Sequence, residues 1–181
     1  MRELSLHLLD LLENAVRAGA GAVVVTVAEA PERDRLVLRV EDDGPGLPVA
    51  PEEALDPFFT TKATGRVGLG LSLLRAAAEQ AGGRLRLGRA PAGGLLVEAT
   101  LGLRHLDRLP LGDLAATMSV IACTHPELDL ACRLQRSGRD REVSLTALRA
   151  ALPPAARTGL TLGVRMAEQV RAGLAELGVE A

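Results

Sequence analysis

Glu41-Asp42-Asp43-Gly44-Pro45-Gly46 follows the alternating run Leu36-Val37-Leu38-Arg39-Val40. The alternation predicts a strand, and the acids followed by two glycines predict its end and a tight turn. A carboxylate at a strand end can accept a hydrogen bond from an exocyclic amine, while Gly44 and Gly46 let backbone approach a flat ring. Further on, Gly65-Arg66-Val67-Gly68-Leu69-Gly70-Leu71 feeds a helix predicted over 71–81. The N–H groups and dipole of such a helix start suit phosphate oxygens. This glycine run does not follow a strand, which disfavours a dinucleotide-binding Rossmann arrangement. Taken singly, either glycine run also reads as an ordinary turn.

Upstream, Leu4, Leu8, Leu11, Leu12 and Ala15 recur at helical spacing, so residues 3–18 read as an amphipathic helix stopped by Gly19 and Gly21. His7, Asp10, Asn14 and Ala18 share another face of it, and Arg17 lies beside Asn14 one turn on. That polar face either meets solvent or lines a site. Val23–Val27, Arg84–Leu87 and Leu95–Leu101 read as further strands. The segment from Asp42 to Gly70 is rich in glycine and proline, with one short helical possibility near Glu52–Leu55. It is long for a connection inside a compact domain, as lids and binding loops are.

The whole chain has 181 residues, 48% hydrophobic and 24% charged, which excludes a disordered or fibrous protein. Its formal net charge of -2 gives no bulk attraction to nucleic acid or to an anionic membrane. We find no apolar run of membrane-spanning length and no signal-peptide pattern, so the expectation is a cytoplasmic protein with no membrane partner. Cys123 and Cys132 are expected to be reduced, buried thiols. Lysine occurs once, at Lys62, against 20 arginines, and the only aromatics are Phe58 and Phe59. All three fall in Pro57-Phe58-Phe59-Thr60-Thr61-Lys62, which suggests that a compact point charge is needed there.

Four stretches in register resemble the nucleotide-binding boxes of the histidine-kinase-like ATPases, the superfamily of sensor kinases, type II topoisomerases, the Hsp90 chaperone and the MutL repair ATPase. They are Leu12-Glu13-Asn14-Ala15, Asp42-Asp43-Gly44-Pro45-Gly46, Phe58-Phe59-Thr60-Thr61-Lys62 and Gly68-Leu69-Gly70-Leu71-Ser72. The third and fourth resemble the sensor-kinase branch most, while Leu12–Ala20 also resembles the mismatch-repair ATPases. The resemblance covers residues 3 to about 101 and implies a Bergerat-type fold, a two-layer α+β sandwich that binds Mg2+ and ATP.

The resemblance also implies roles. Asn14 would ligate Mg2+ through its side-chain oxygen. Asp42 would read the adenine amino group in a pocket shaped by Gly44 and Gly46, and Arg17 would approach the phosphates. Gly68, Leu69, Gly70 and Leu71 would offer backbone N–H groups to the phosphates. Residues 47–67 would form a lid carrying Thr61 and Lys62 to the nucleotide, latched by Phe58 or Phe59. Asp10 departs from the pattern: hydrolytic and serine-kinase relatives carry a glutamate there as general base, and many sensor kinases an amide. A carboxylate one helical turn from the metal ligand can take a proton from water or a hydroxyl, so Asp10 and Lys62 are the candidate catalytic residues. Leu95 stands where sensor kinases often have a hydroxyl residue near the adenine acid.

Composition changes after Leu103, dividing the chain into an ATP-binding domain over 1–104 and a smaller α+β appendage over 105–181. The appendage reads as helices over 111–123, 146–152 and 162–177, and a hairpin turning at Ser137-Gly138. It would dock a partner protein, pair with a second copy, or complete the sheet. His105-Leu106-Asp107-Arg108-Leu109-Pro110-Leu111 resembles a phosphoacceptor box with its acid displaced by one position, which makes His105 a candidate phosphoacceptor; the alternative is a linker capping the next helix. The expectation is that no dimerising helix with a phosphoacceptor histidine precedes residue 3. His7 and His125 are expected to be hydrogen-bonded core or surface histidines. Three functions remain open: a stand-alone kinase or phosphorelay component acting on a partner protein, an ATP-hydrolysing switch, and a nucleotide-binding regulator without turnover.

Overall fold

A computed structural model describes residues 2–47, 49–55 and 69–179. Helix α1 (Leu4–Arg17) leads into strands β1 (Ala22–Ala30) and β2 (Arg35–Asp42). Then come the short α2 (Pro51–Ala54), α3 (Leu69–Gln80), β3 (Arg84–Arg89) and β4 (Leu95–Gly102). The chain continues through α4 (Leu114–Thr124), β5 (Asp129–Arg136), β6 (Arg139–Ser144), α5 (Leu145–Ala151) and α6 (Gly159–Leu177). Each element predicted from periodicity is present, with ends shifted by a few residues.

Among the described residues the strands form one sheet in the order β3-β4-β2-β1-β5-β6. All neighbours are antiparallel except β1 and β5, which run parallel with Val25 opposite Cys132. One face of the sheet is apolar: Val23, Val25, Val27, Leu36, Leu38, Val40, Val97, Ala99, Leu101, Leu130, Cys132 and Leu134 are all buried. Helices α1, α3, α4 and α6 lay Leu8, Leu12, Leu74, Leu114, Met118, Leu162 and Val170 on it, giving a two-layer α+β sandwich. The opposite face carries cross-strand ion pairs, Arg39 with Glu98 and Arg133 with Glu142, as a solvated face does.

Residues 105–179 therefore complete the sheet, adding β5 and β6 beside β1 and joining the same core cluster. They also finish α1. That helix has no side-chain N-cap; the Leu4 and Ser5 N–H groups donate to the carbonyls of Pro110 and Leu111 at 3.0 and 2.8 Å. Thr117 Oγ1 donates to the Ser5 carbonyl at 3.2 Å. The hairpin turn lies at Ser137 and Gly138, both with positive φ. Cys132 is buried as expected, and burial pushes its thiol up to about 12. Cys123 is exposed, contrary to expectation, at the last-but-one position of α4. Among the described residues no helix is long and apolar enough to cross a membrane.

Candidate functional site

The site is built along α1. Its apolar stripe is buried against the sheet, so Asp10, Asn14 and Arg17 rise on a flank. Their side chains form a hydrogen-bonded line: Arg17 Nη1 donates to Asn14 Oδ1 at 2.9 Å, and Asn14 Nδ2 donates to Asp10 Oδ2 at 3.1 Å. Arg17 also lies 3.7 Å from Glu13, an exposed i,i+4 pair.

Asp10 ends this line against the first turn of α3. A β-carbon built on Gly70 would collide with its carboxylate, so only glycine lets the two helices meet here. Leu71, in the same turn, packs against the core. Thus Gly70 stands beside Asp10 in the first turn of α3, which begins at Leu69, at the helix end whose dipole favours anions. Gly68, Thr61, Lys62, Phe58 and Phe59 lie outside the described residues, as does most of the expected lid.

At the other end of the line, the turn after β2 packs on the close of α1: a β-carbon on Gly44 would sit 3.7 Å from that of Ala20. Asp42 is buried at 7% exposure, and its Oδ1 accepts two backbone N–H groups, from Gly44 at 2.9 Å and Leu95 at 3.1 Å. Two donors on one oxygen fix the carboxylate plane and leave Oδ2 to accept from a ligand. Leu95 thus supplies a backbone donor to Asp42. Gly94 is what permits it, because a side chain there would run into Asp42 and the Gly44 nitrogen. Gly46 takes a φ of 77° and completes the turn.

Asp43 is a functional neighbour that we did not expect. Its Oδ1 accepts from Gly21 and Ala22 at 2.8 and 2.9 Å, tying the turn to the start of β1. An acid directly before glycine is the available signal, since such side chains commonly accept local backbone N–H groups. His7 also differs from expectation: at 3% exposure both ring nitrogens lack a hydrogen-bond partner among the described residues. Burial lowers its pKa, with the chain's amino terminus acting in the same direction and Asp10 opposing.

His105 is not brought to this group. It rests against Gly82 just beyond the far end of α3, and its Nδ1 accepts the Asp107 N–H at 3.2 Å. The 12 residues of α3 separate it from Gly70, about 18 Å at the helical rise.

The model of the histidine kinase-, DNA gyrase B- and HSP90-like ATPases matches residues 2–105. The chain belongs to this ATPase family. Among curated members it is 40% identical over 102 residues to the sensor protein kinase CarS of Pseudomonas aeruginosa, covering 55% of this chain and 22% of that one. It is 35% identical over 98 residues to the sensor protein KdpD of Escherichia coli, covering 52% of this chain and 11% of that one. It therefore spans only about a tenth to a fifth of these relatives. The N-terminal domain of a DNA repair protein shares the fold at a TM-score of 0.50 and 12% identity, over 80% of this chain and 53% of that one. This likeness of fold alone extends beyond the residues matched by the ATPase family model. Family membership supports ATP binding.

Proposed function

We infer that this chain binds Mg2+-ATP and transfers the γ-phosphate to a partner protein. The observation carrying this is the line Arg17–Asn14–Asp10, running from an arginine to a carboxylate against the first turn of α3. Mg2+ keeps much of its hydration and takes few protein oxygens, so the single amide oxygen of Asn14 fits it, with Asp10 adding charge nearby. Bound there, the ion would offset phosphate charge. Asn14 would hold it through Oδ1, and the first turn of α3 would donate N–H groups to the phosphates. Asp42 Oδ2 would accept from the adenine amine. Asp10 would receive the proton of the attacking hydroxyl or histidine, and Lys62 would bring a second cation. Transfer to His105 within one molecule would span the length of α3, so we assign the acceptor to another protein. Residues 105–181 would dock it, or a second copy of this chain.

A second reading is an ATP-hydrolysing switch, favoured by the tie between α1 and Pro110–Leu111, which couples the site to the C-terminal region. Following γ-labelled phosphate with Asn14→Ala as blank tests both. Label passing to a partner protein supports transfer; free phosphate lost in Asp10→Asn, with binding retained, supports the switch. Base-stable, acid-labile label on this chain, lost in His105→Gln, would overturn the assignment of the acceptor. No label transfer and no phosphate release would leave a regulator without turnover.

A further inference from the structure

We propose that Arg17 is a positioning residue that exchanges partners: it holds Asn14 in the ligand-free chain and is released to the phosphates only when Asn14 takes the metal. This rests on the Mg2+-ATP function proposed above. Asn14 has one acceptor and one donor group, and both are engaged. Asp10 can only accept when ionised, so it takes the Nδ2 donor at 3.1 Å and turns Oδ1 the other way. Arg17, which can only donate, takes Oδ1 at 2.9 Å. Oδ1 is also the one oxygen through which this side chain can hold a cation.

A guanidinium and a divalent cation repel each other, so the two cannot share Oδ1 at close range. Occupation of Oδ1 by the metal therefore frees Arg17. The side chain is about half exposed, with Glu13 as its remaining ion-pair partner at 3.7 Å, and a screened exposed pair holds it weakly. A freed arginine on this flank is a planar donor suited to phosphate oxygens. Metal arrival and phosphate clamping are thereby coupled through one side chain, and nucleotide without metal meets an arginine still held on Asn14.

The consequence runs against the usual expectation for a metal ligand. Asn14→Ala removes the group that holds Arg17 back, so in EDTA it should bind ATP more tightly than wild type. The gain should be about fivefold, the worth of one ordinary hydrogen bond made by a half-exposed side chain. With Mg2+ present the same variant should bind more weakly than wild type. Asn14→Ala combined with Arg17→Gln should lose the gain in EDTA. Titration calorimetry of ATP with the full chain, with and without Mg2+, reads all three. Equal or weaker binding by Asn14→Ala in EDTA, or a gain that survives Arg17→Gln, overturns the exchange. Absence of ATP binding by wild type in both buffers would instead overturn the proposed function. Alanine is a good helix former, and a helical melt matching wild type verifies that the variant folds.

Discussion

Asp10 and Gly70 share one volume: the Asp10 carboxylate occupies the space that a β-carbon on Gly70 would need. The same Oδ2 accepts from Asn14, so the packing of α3 on α1 also sets the position of the carboxylate between them. Gly70→Ala is expected to push Asp10 aside and lower ATP affinity by at least about tenfold, with a stability loss of about 1–3 kcal/mol from overpacking. Adding Asp10→Ala should vacate the space, so the double variant should melt above Gly70→Ala alone. Double-variant melting at or below the single would show that the collision lies elsewhere.

Gly94 plays the matching part for the other carboxylate. Its missing side chain admits Asp42 and lets the Leu95 N–H reach Oδ1. Gly94→Ala should displace that oxygen and reduce ATP affinity by about tenfold or more, since the donors then meet the carboxylate off line. Leu95→Thr keeps the backbone donor and should stay within about threefold of wild type. Calorimetric titration separates the two, and a large loss in Leu95→Thr would point to a side-chain role instead.

Asp42, Gly44, Asn14 and Gly70 were legible in the sequence because local spacing places them on a strand end, a turn and helix faces. How Asp42 is held was not. The resemblance sets Leu95 near Asp42, but its part there is a main-chain donor admitted by Gly94, some fifty positions away, and no side-chain pattern announces a main-chain donor. The β5–β6 hairpin was readable from Ser137-Gly138, whereas its parallel partnership with β1 was not, because parallel strands meet through long crossovers without a turn signal. The cap of α1 escaped notice for the same reason: its acceptors are the carbonyls of Pro110 and Leu111.

His7 makes stability depend on pH. Burial lowers its folded-state pKa below the unfolded value of 6.5, so the unfolded chain binds the proton more readily. Its stabilising contribution is full above that value and is lost as pH falls through it. Wild type should therefore lose more melting temperature between pH 7.5 and pH 5.5 than His7→Leu does. Equal losses in the two proteins would remove His7 as the cause.

The C-terminal region should be required for folding. A chain ending at Arg104 would strip β5 from Val23, Val25 and Val27, and would remove Pro110 and Leu111 from the start of α1. We expect it to show no cooperative helical melt by far-ultraviolet circular dichroism, a suitable probe in a chain without Trp or Tyr. A cooperative transition within a few degrees of the full chain would show that residues 1–104 fold alone.

In the function proposed above, Asp42 reads an exocyclic amine while Asn14 and the start of α3 take the phosphates. Comparing ATP with inosine triphosphate by calorimetry in Mg2+ reads this out, since inosine replaces the 6-amine that would donate to Asp42 Oδ2 by a carbonyl, which can only accept, and adds a proton at N1. ATP should bind, and the inosine nucleotide should bind weaker by about a hundredfold or more, because a buried acceptor is left unpaired. Equal affinity for the two nucleotides would contradict it.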